Sequence, residues 1–424
     1  MTLKYRIRCV AGGELIGDAS SLSCPHAHDS LLRTEYSSRR LHLALHPGIF
    51  RYISWLPVKE PLIPSGGPVT FTSRELSREI GLSHLSISFS GYFPERGADL
   101  TSCSFKELEA LPTLQRFREV GGKIPVVASA GNTGRAFAEV SARCKRPIVI
   151  VVPEKALPRL WTTEPAHDIF LVAVCGDYND AIAVSGALAA VPGCVPEGGA
   201  KNVARRDGMG TVVLDAAVTA GRMPDHYFQA VGSGTGGIAA WEAATRLRHD
   251  GRYGSRPPRL HLAQNEPFTP MVSAWRNRRR EILPSIDMPD ARETVKRVMS
   301  DVLTNRSPPY GIRGGVYDAL QGTGGEMYAV SNAEGGEAMK LILDTVGIDP
   351  DPAAAIATAA LIQGVRGGIV GQADHVLLNI TGGGYERVRE DLEIHPIEAS
   401  ARVRPDDGPE KIMQLLETWV KRHG

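Results

Sequence analysis

The chain has 424 residues, with 48 basic and 47 acidic side chains for a formal charge of +1, and 42% of its residues are apolar. That balance excludes a nucleic-acid binder held by phosphate contacts, which shows a basic excess or a clustered basic face, and the apolar share excludes disorder. Glycine is in surplus, with 45 residues against an average usage of about 7% and no G-X-Y period, so its places are sharp turns and close approaches to a ligand.

At roughly 100 to 200 residues per domain, the length predicts two or three domains. The segment Met1 to Val10 mixes Lys4, Arg6 and Arg8 with single apolar residues and lacks the apolar run of a signal peptide. Six cysteines stand at 9, 24, 103, 144, 175 and 194 without a C-x-x-C pair, the usage of a reducing cytoplasm. No stretch approaches the roughly 18 apolar residues of a membrane span. Residues 1–40 read as polar and irregular, with Cys9, Cys24, His26 and His28 as the candidate metal ligands. A zinc ribbon needs two knuckles of paired ligands. Here Cys9 has no partner near it in sequence and the other three crowd together, so no metal is expected.

From residue 124 the pattern becomes repetitive. Apolar runs predict strands at Ile124 to Ala128, Ile148 to Val152 and Ile169 to Val174; helices are predicted at Thr133 to Arg143 and Tyr178 to Val191, with a polar helical segment at Leu157 to Thr163. A second series offers strand Tyr227 to Val231, helix Ile238 to Arg248, strand Leu260 to Gln264 and, much later, strand Val376 to Ile380. Short apolar strands alternating with helices mark parallel α/β units, whose sites form at the carboxyl ends of strands. The stretch 275–312, with Arg276, Arg278, Arg279 and Arg280 and the break Ser307-Pro308-Pro309, reads as solvated helix and loop.

Four turns at strand ends or helix starts carry chemistry. Gly232-Ser233-Gly234-Thr235-Gly236-Gly237 follows a strand and opens a helix, which lets backbone N–H groups and the helix dipole converge on an anion. Gly232, Gly234 and Gly237 also satisfy G-x-G-x-x-G, the dinucleotide pattern, but the acid expected about 20 residues on is missing. Ser129-Ala130-Gly131-Asn132-Thr133-Gly134 offers N–H groups, a hydroxyl and an amide to a carboxylate and a ring oxygen; equally, Ser129 and Thr133 are helix caps. In Thr101-Ser102-Cys103-Ser104-Phe105-Lys106 the lysine is either an ordinary surface charge or an amine made partly neutral by burial or cationic neighbours. Thr381-Gly382-Gly383-Gly384 again sets a hydroxyl and open backbone at a strand end.

A lysine amine, a carboxylate loop, a phosphate cradle and a late hydroxyl turn, in that order, are the parts of a pyridoxal-phosphate enzyme. With Phe50-Arg51-Tyr52, Leu56-Pro57 and Ser104-Phe105-Lys106 added to the turns above, the chain resembles the tryptophan-synthase-β-like superfamily (fold type II), and threonine synthases in particular, over residues 45 to 390. Cys9 to Tyr36 is similar to a degenerate form of the zinc-ribbon appendage of some threonine synthases. The resemblance implies an α/β fold of two open twisted domains with the cofactor, pyridoxal 5'-phosphate, in the cleft between them. The large domain would be 41–120 with 200–424, the small one 121–199, and 1–40 the ribbon-like segment. It also implies that Lys106 is the catalytic residue and forms the internal aldimine, and that Asn132 contacts the cofactor's ring oxygen. Gly232, Ser233, Gly234, Thr235 and Gly236 would cradle its phosphate, Thr381 would hydrogen-bond its ring nitrogen, and Ser129, Ala130, Gly131 and Thr133 would hold the substrate carboxylate.

The chain departs from threonine synthases where Lys106 is followed by Glu107-Leu108-Glu109 in place of Asp-Arg-Gly, and where Pro64-Ser65-Gly66-Gly67-Pro68-Val69 replaces Gly-Glu-Gly-x-Thr-Pro. The stretch Ser88 to Phe117, with Gly97 to Glu107 inside it, resembles instead the cysteate synthases of methanogenic archaea, a family paralogous to threonine synthases. Its reaction converts O-phospho-L-serine and sulfite to L-cysteate and phosphate by way of an aminoacrylate, on a route to coenzyme M. Substrate, leaving group and sulfite are all anions, so cations are needed beyond the cradle. Lys201, Arg205, Arg206 and Arg313 lie in glycine-flanked loops and are the candidates, Arg205 and Arg313 foremost. Threonine synthase, a nicotinamide oxidoreductase built on Gly232 to Gly237 and a non-catalytic cofactor-binding regulator are the alternatives. The expected partners are small anionic molecules, with no nucleic acid and no membrane, and the expected assembly is a cytoplasmic homo-oligomer.

Overall fold

The computed structural model describes residues 3–17, 21–129, 131–404 and 410–423. Its larger sheet has six strands in the spatial order Glu326–Val330, Arg259–Asn265, His226–Ala230, His375–Ile380, His84–Phe89 and Val69–Thr72. All neighbours are parallel except the last pair. The central strands are buried along nearly their whole length, which is why they read as apolar runs rather than alternating ones. Helix Pro352–Arg366 packs its alanines and Ile356 into the core on one face of this sheet. Helices Val203–Ala220 and Thr235–Asp250 pack against each other and fill the core on the other.

The smaller sheet is parallel throughout, in the order Cys194–Pro196, Ile124–Ala128, Ile148–Pro153, Ile169–Val174 and Ala401–Val403. Its last strand comes from the far end of the chain, and Ile412, Leu416 and Val420 of helix Glu410–His423 join the same core. This differs from the expectation that all of 200–424 belongs to the large layer. A three-residue strand carries too little periodicity to announce that it crosses over.

Two other segments differ from expectation. Leu157 to Thr163 is a short 3-10 turn, Glu154–Arg159, followed by strand Trp161–Thr162 paired with His395–Pro396; Pro158 lacks the N–H that would carry a helix onward. Residues 1–40 are ordered rather than irregular where described: Tyr5–Cys9 pairs antiparallel with Leu15–Ile16 and with Leu32–Tyr36. Ile7, Cys9, Cys24 and Leu32 turn inward against Val203. Thr34 Oγ1 and Tyr36 OH both donate to Asp207, at 2.7 and 2.6 Å, seating this module on helix Val203–Ala220. Inside it Cys9 is not alone, because its thiol meets Glu14, Cys24 and His28 within 4.8 Å. In the stretch 275–312 Arg276 and Arg278 are exposed as expected, whereas Arg279 pairs with Asp287 and Arg280 with Asp318.

Candidate active site

Strands His226–Ala230 and His375–Ile380 are neighbours, so the turns that follow them, 231–234 and 381–384, open side by side at the carboxyl edge of the larger sheet. The segment before Lys106 is pinned to the second turn. The Phe105 N–H donates to the Thr381 carbonyl at 2.9 Å and the Gly383 N–H to the Cys103 carbonyl at 3.2 Å. A Cβ at position 382 would stand 2.6 Å from the Cys103 carbonyl oxygen, so glycine permits the approach. Lys106 is therefore the first residue of helix Lys106–Val120 and starts at the edge where the buried Thr381 follows strand His375–Ile380.

The Lys106 side chain is only 23% exposed, with Nζ 3.7 Å from Glu109 Oε2 and 4.5 Å from the Phe105 ring centre. Burial pulls its pKa down and Arg205 adds to that, against the opposing pull of Glu109. An amine drawn toward neutrality can act as nucleophile and base. Arg205 itself is committed, 2.7 Å from Glu109 Oε1 and 3.3 Å from Glu197 Oε1. Burial raises the Glu197 carboxyl and Arg205 works against that rise.

The glycine turn reaches helix Thr235–Asp250 through Gly234 at φ +80°, a left-handed conformation that glycine adopts without strain. Thr235 N–H donates to Ser233 Oγ at 3.3 Å, and the two hydroxyls are 2.8 Å apart. The first-turn amides have no partner within a helix, and together with the dipole they make an anion site. Gly237, the last glycine of the dinucleotide spacing, packs against the Leu262 side chain.

The loop 129–134 is held from inside. Ser129 Oγ accepts from the N–H groups of Gly131 at 3.0 Å and Gly134 at 2.6 Å, so the hydroxyl serves its own loop; Ala130 lies outside the described residues. Asn132 Nδ2 donates to Asp351 Oδ2 at 3.0 Å, and its Oδ1 accepts from Arg135 at 3.2 Å. Tyr385 OH donates to the same Asp351 oxygen at 2.9 Å, and the Asp351 N–H donates to the Gly382 carbonyl at 2.9 Å, joining this network to the Thr381 turn. A cavity of about 230 Å³ lies alongside, lined by Asn132, Arg135, Arg159, Asp301, Val302 and Tyr385 among others. Val302 also backs Gly232 through its carbonyl, so the cavity adjoins the glycine turn.

Arg159 is the notable cation here. Its Cδ lies 3.4 Å from where a Cβ on Gly131 would be, and its Nη1 is 2.7 Å from Asp301 Oδ1, with both side chains about two-fifths exposed. No pattern along the chain singles it out. Arg135 and Asp351 are more accessible to sequence reasoning, the first one turn beyond Asn132 on a helix and the second an Asp-Pro helix start. Of the sequence-predicted cations Arg205 stands beside Lys106, and the other three lie elsewhere. Arg313 has an exposed side chain, and its backbone pairs with Asp29 and Leu31 of the N-terminal module. Lys201 Nζ reaches Ser23 Oγ at 3.3 Å. Arg206 is fully buried on Glu242 at 3.1 Å and on the carbonyls of Ala200 and Leu32.

A largely buried amine, a glycine-opened helix amino terminus and a buried hydroxyl at adjoining strand ends are a donor set that fits pyridoxal phosphate. A family model described as pyridoxal-phosphate dependent enzyme matches residues 99–382. Cysteate synthase from Methanoregula boonei is 69% identical over the full length of both chains. That from Methanosphaerula palustris is 57% identical, again over both full lengths, and that from Methanosarcina acetivorans 52% identical over 97% of this chain and all of its own. Among solved structures, maize serine racemase is similar with a TM-score of 0.53 and 16% identity, covering 74% of this chain and 89% of its own. A threonine deaminase from T.th. has a TM-score of 0.54 and 19% identity, covering 74% of this chain and 91% of its own, so both share the fold.

Proposed function

The chain belongs to the cysteate synthases, within the pyridoxal-phosphate dependent enzymes, and forms cysteate with that cofactor; from this premise we propose that it takes O-phospho-L-serine and sulfite, on a route to coenzyme M, and that Lys106 moves the proton. The observation that carries the second part is the setting of Lys106: a mostly buried amine with a depressed pKa, at a helix start pinned to the Thr381 turn. Lys106 would also hold the cofactor, with its phosphate on Gly232 to Gly236, Asn132 at its ring oxygen and Thr381 at its ring nitrogen. Pyridoxal phosphate, when bound, supplies the electron sink that acidifies the substrate's α-carbon and lets the β-substituent leave.

The loop Ser129 to Thr133 holds the substrate carboxylate, kept in shape by the two amides on Ser129 Oγ. Lys106 Nζ takes the α-proton as the β-carbon–oxygen bond breaks and phosphate departs with the electron pair. It returns the proton after the sulfur lone pair of sulfite has formed the carbon–sulfur bond. No external oxidant or reductant is needed. Arg159 meets the mobile anion, phosphate leaving or sulfite entering, by exchanging Asp301 for it. Arg205 acts as a positioning residue, fixing Glu109 and Glu197 beside Lys106. A cytoplasmic location belongs to the same reading, supported by six cysteines that are all free thiols; among the described residues no helix is long and apolar enough to cross a membrane.

The test is phosphate release by purified holoenzyme. Phosphoserine with sulfite should give phosphate and cysteate, and O-phosphohomoserine should give neither phosphate nor threonine. Faster turnover of phosphohomoserine would overturn the substrate assignment.

A further inference from the structure

The N-terminal module holds a cluster that the reaction does not use. We infer that Cys9, Glu14, Cys24 and His28 form a structural zinc site. His28 Nδ1 lies 3.4 Å from Cys9 Sγ and 3.5 Å from Cys24 Sγ, and 3.7 Å from Glu14 Oε2. All four ligand atoms fall within 4.8 Å of one another. A tetrahedral zinc with bonds of about 2.3 Å to sulfur and 2.0–2.2 Å to nitrogen and oxygen sets its ligand atoms roughly 3.3–3.8 Å apart. Two soft thiolates, an imidazole and a carboxylate select zinc over the hard cations, which prefer all-oxygen sites. With four protein ligands the set is closed, the form of a structural site rather than a catalytic one.

Three features of the chain serve this arrangement. Glu14 Oε2 is shielded from solvent with no hydrogen-bond partner among the described residues, while the side chain as a whole is about two-fifths exposed; a bound cation would partner the shielded oxygen. A Cβ at position 12 would collide with that carboxylate, so Gly12 is what lets Glu14 fold inward over the turn. The Gly12 N–H also donates to Cys9 Sγ at 3.5 Å, an outer contact of the kind that orients a thiolate ligand. Ala27 is held at φ +56°, a strained conformation for a residue with a Cβ, and it turns the chain so that His28 faces Cys24. His26 is exposed and takes no part in the cluster.

The site would staple a module whose own core is only a few side chains around Ile7, Ile16 and Leu32. That module braces the segment that carries two of the charged neighbours of Lys106. Leu22 packs 2.5 Å from where a Cβ on Gly198 would be, and Arg206 donates to the Leu32 carbonyl. Glu197 immediately precedes Gly198 and Arg205 immediately precedes Arg206, so the braced segment 197–206 carries both.

The test is metal analysis of the full-length holoenzyme after production with zinc and dialysis against metal-free buffer. About one zinc per chain is expected, falling at least tenfold in Cys24→Ser and unchanged in His26→Ala. A wild-type protein without zinc, retention of zinc by a Cys9→Ser/Cys24→Ser variant, or loss of zinc in His26→Ala as complete as in Cys24→Ser would each overturn the assignment. If Cys24→Ser does not fold, cobalt-loaded wild-type protein decides the matter. A thiolate-to-cobalt charge-transfer band supports the site, and its absence, or a Cys9–Cys24 disulfide found by mass analysis, refutes it.

Discussion

The ion pair between Arg159 and Asp301 makes a prediction in which the two partners move the kinetics in opposite directions. Both side chains are about two-fifths exposed and the pair spans the cavity beside loop 129–134. An exposed pair of this kind contributes about 0–1 kcal/mol, so breaking it leaves the fold nearly as stable. If Arg159 exchanges Asp301 for a substrate anion, Asp301→Asn removes the competitor and lowers the KM for phosphoserine or sulfite by up to roughly 5-fold, the equivalent of about 1 kcal/mol. Arg159→Gln removes a charge-assisted hydrogen bond of about 1.5–3 kcal/mol, which lowers kcat/KM roughly 10- to 150-fold. The assay is steady-state phosphate release with each substrate varied in turn, together with thermal unfolding to verify that neither variant is grossly destabilised. An Asp301→Asn variant that loses kcat/KM as Arg159→Gln does would refute the reasoning, since the pair would then be a strut rather than a gate.

Three further predictions concern the frame of the site. Gly234→Ala forces a side chain into left-handed backbone and against Val316, costing about 1–2 kcal/mol before any clash; the cofactor should bind at least about tenfold more weakly, read by absorbance titration. Arg206→Met leaves Glu242 buried with Arg33 and Arg246 as its remaining nearby cations and removes the donor to the Leu32 carbonyl of the N-terminal module, so the urea midpoint should fall by an amount equivalent to about 3 kcal/mol, and an unchanged midpoint would show that Arg206 does not brace this part of the fold. His261 is fully buried between His226 and Tyr328, at 2.8 and 2.9 Å, with its pKa pushed down to about 2 by burial and by His226. Its folded value lies below the unfolded one, so the unfolded chain takes up the proton first as pH falls. Stability is whole above pH 6.5 and is lost between 6.5 and about 2, at roughly 1.4 kcal/mol per pH unit from this residue. His261→Gln should flatten that slope in urea titrations between pH 6.5 and 4.5, and a slope that survives the change would argue against this assignment.

Much of the fold is legible in the sequence because its central strands are buried on both faces. Ile148–Pro153 and Ile169–Val174 are almost unbroken aliphatic runs, and runs of that length between glycine and proline breaks read as buried strands. His84–Phe89 is hard to see although it lies inside the larger sheet, because its two serines break the run. The turns at Lys106, Asn132, Gly232 to Gly237 and Thr381 stand out because each combines a polar or glycine turn with a strand end or helix start. The cations do not. A glycine-flanked arginine reads the same whether it faces a substrate or a buried carboxylate, as Arg206 does. Pairing with Glu109, Glu197 or Glu242 is a long-range fact that spacing along the chain cannot carry. Glu14 is invisible for the same reason, since only the fold of the Gly12-Gly13 turn brings it to Cys9 and His28.

The central claim is that Lys106 drives replacement of phosphate by sulfite on phosphoserine. The most direct measurement follows phosphoserine and sulfite by phosphorus and proton NMR with wild-type holoenzyme and with a Lys106→Ala variant loaded with the same cofactor. Cysteate and phosphate should appear in equal amounts with the wild type and not at all with the variant. Equal product from both proteins, or phosphate released without cysteate, would contradict the account.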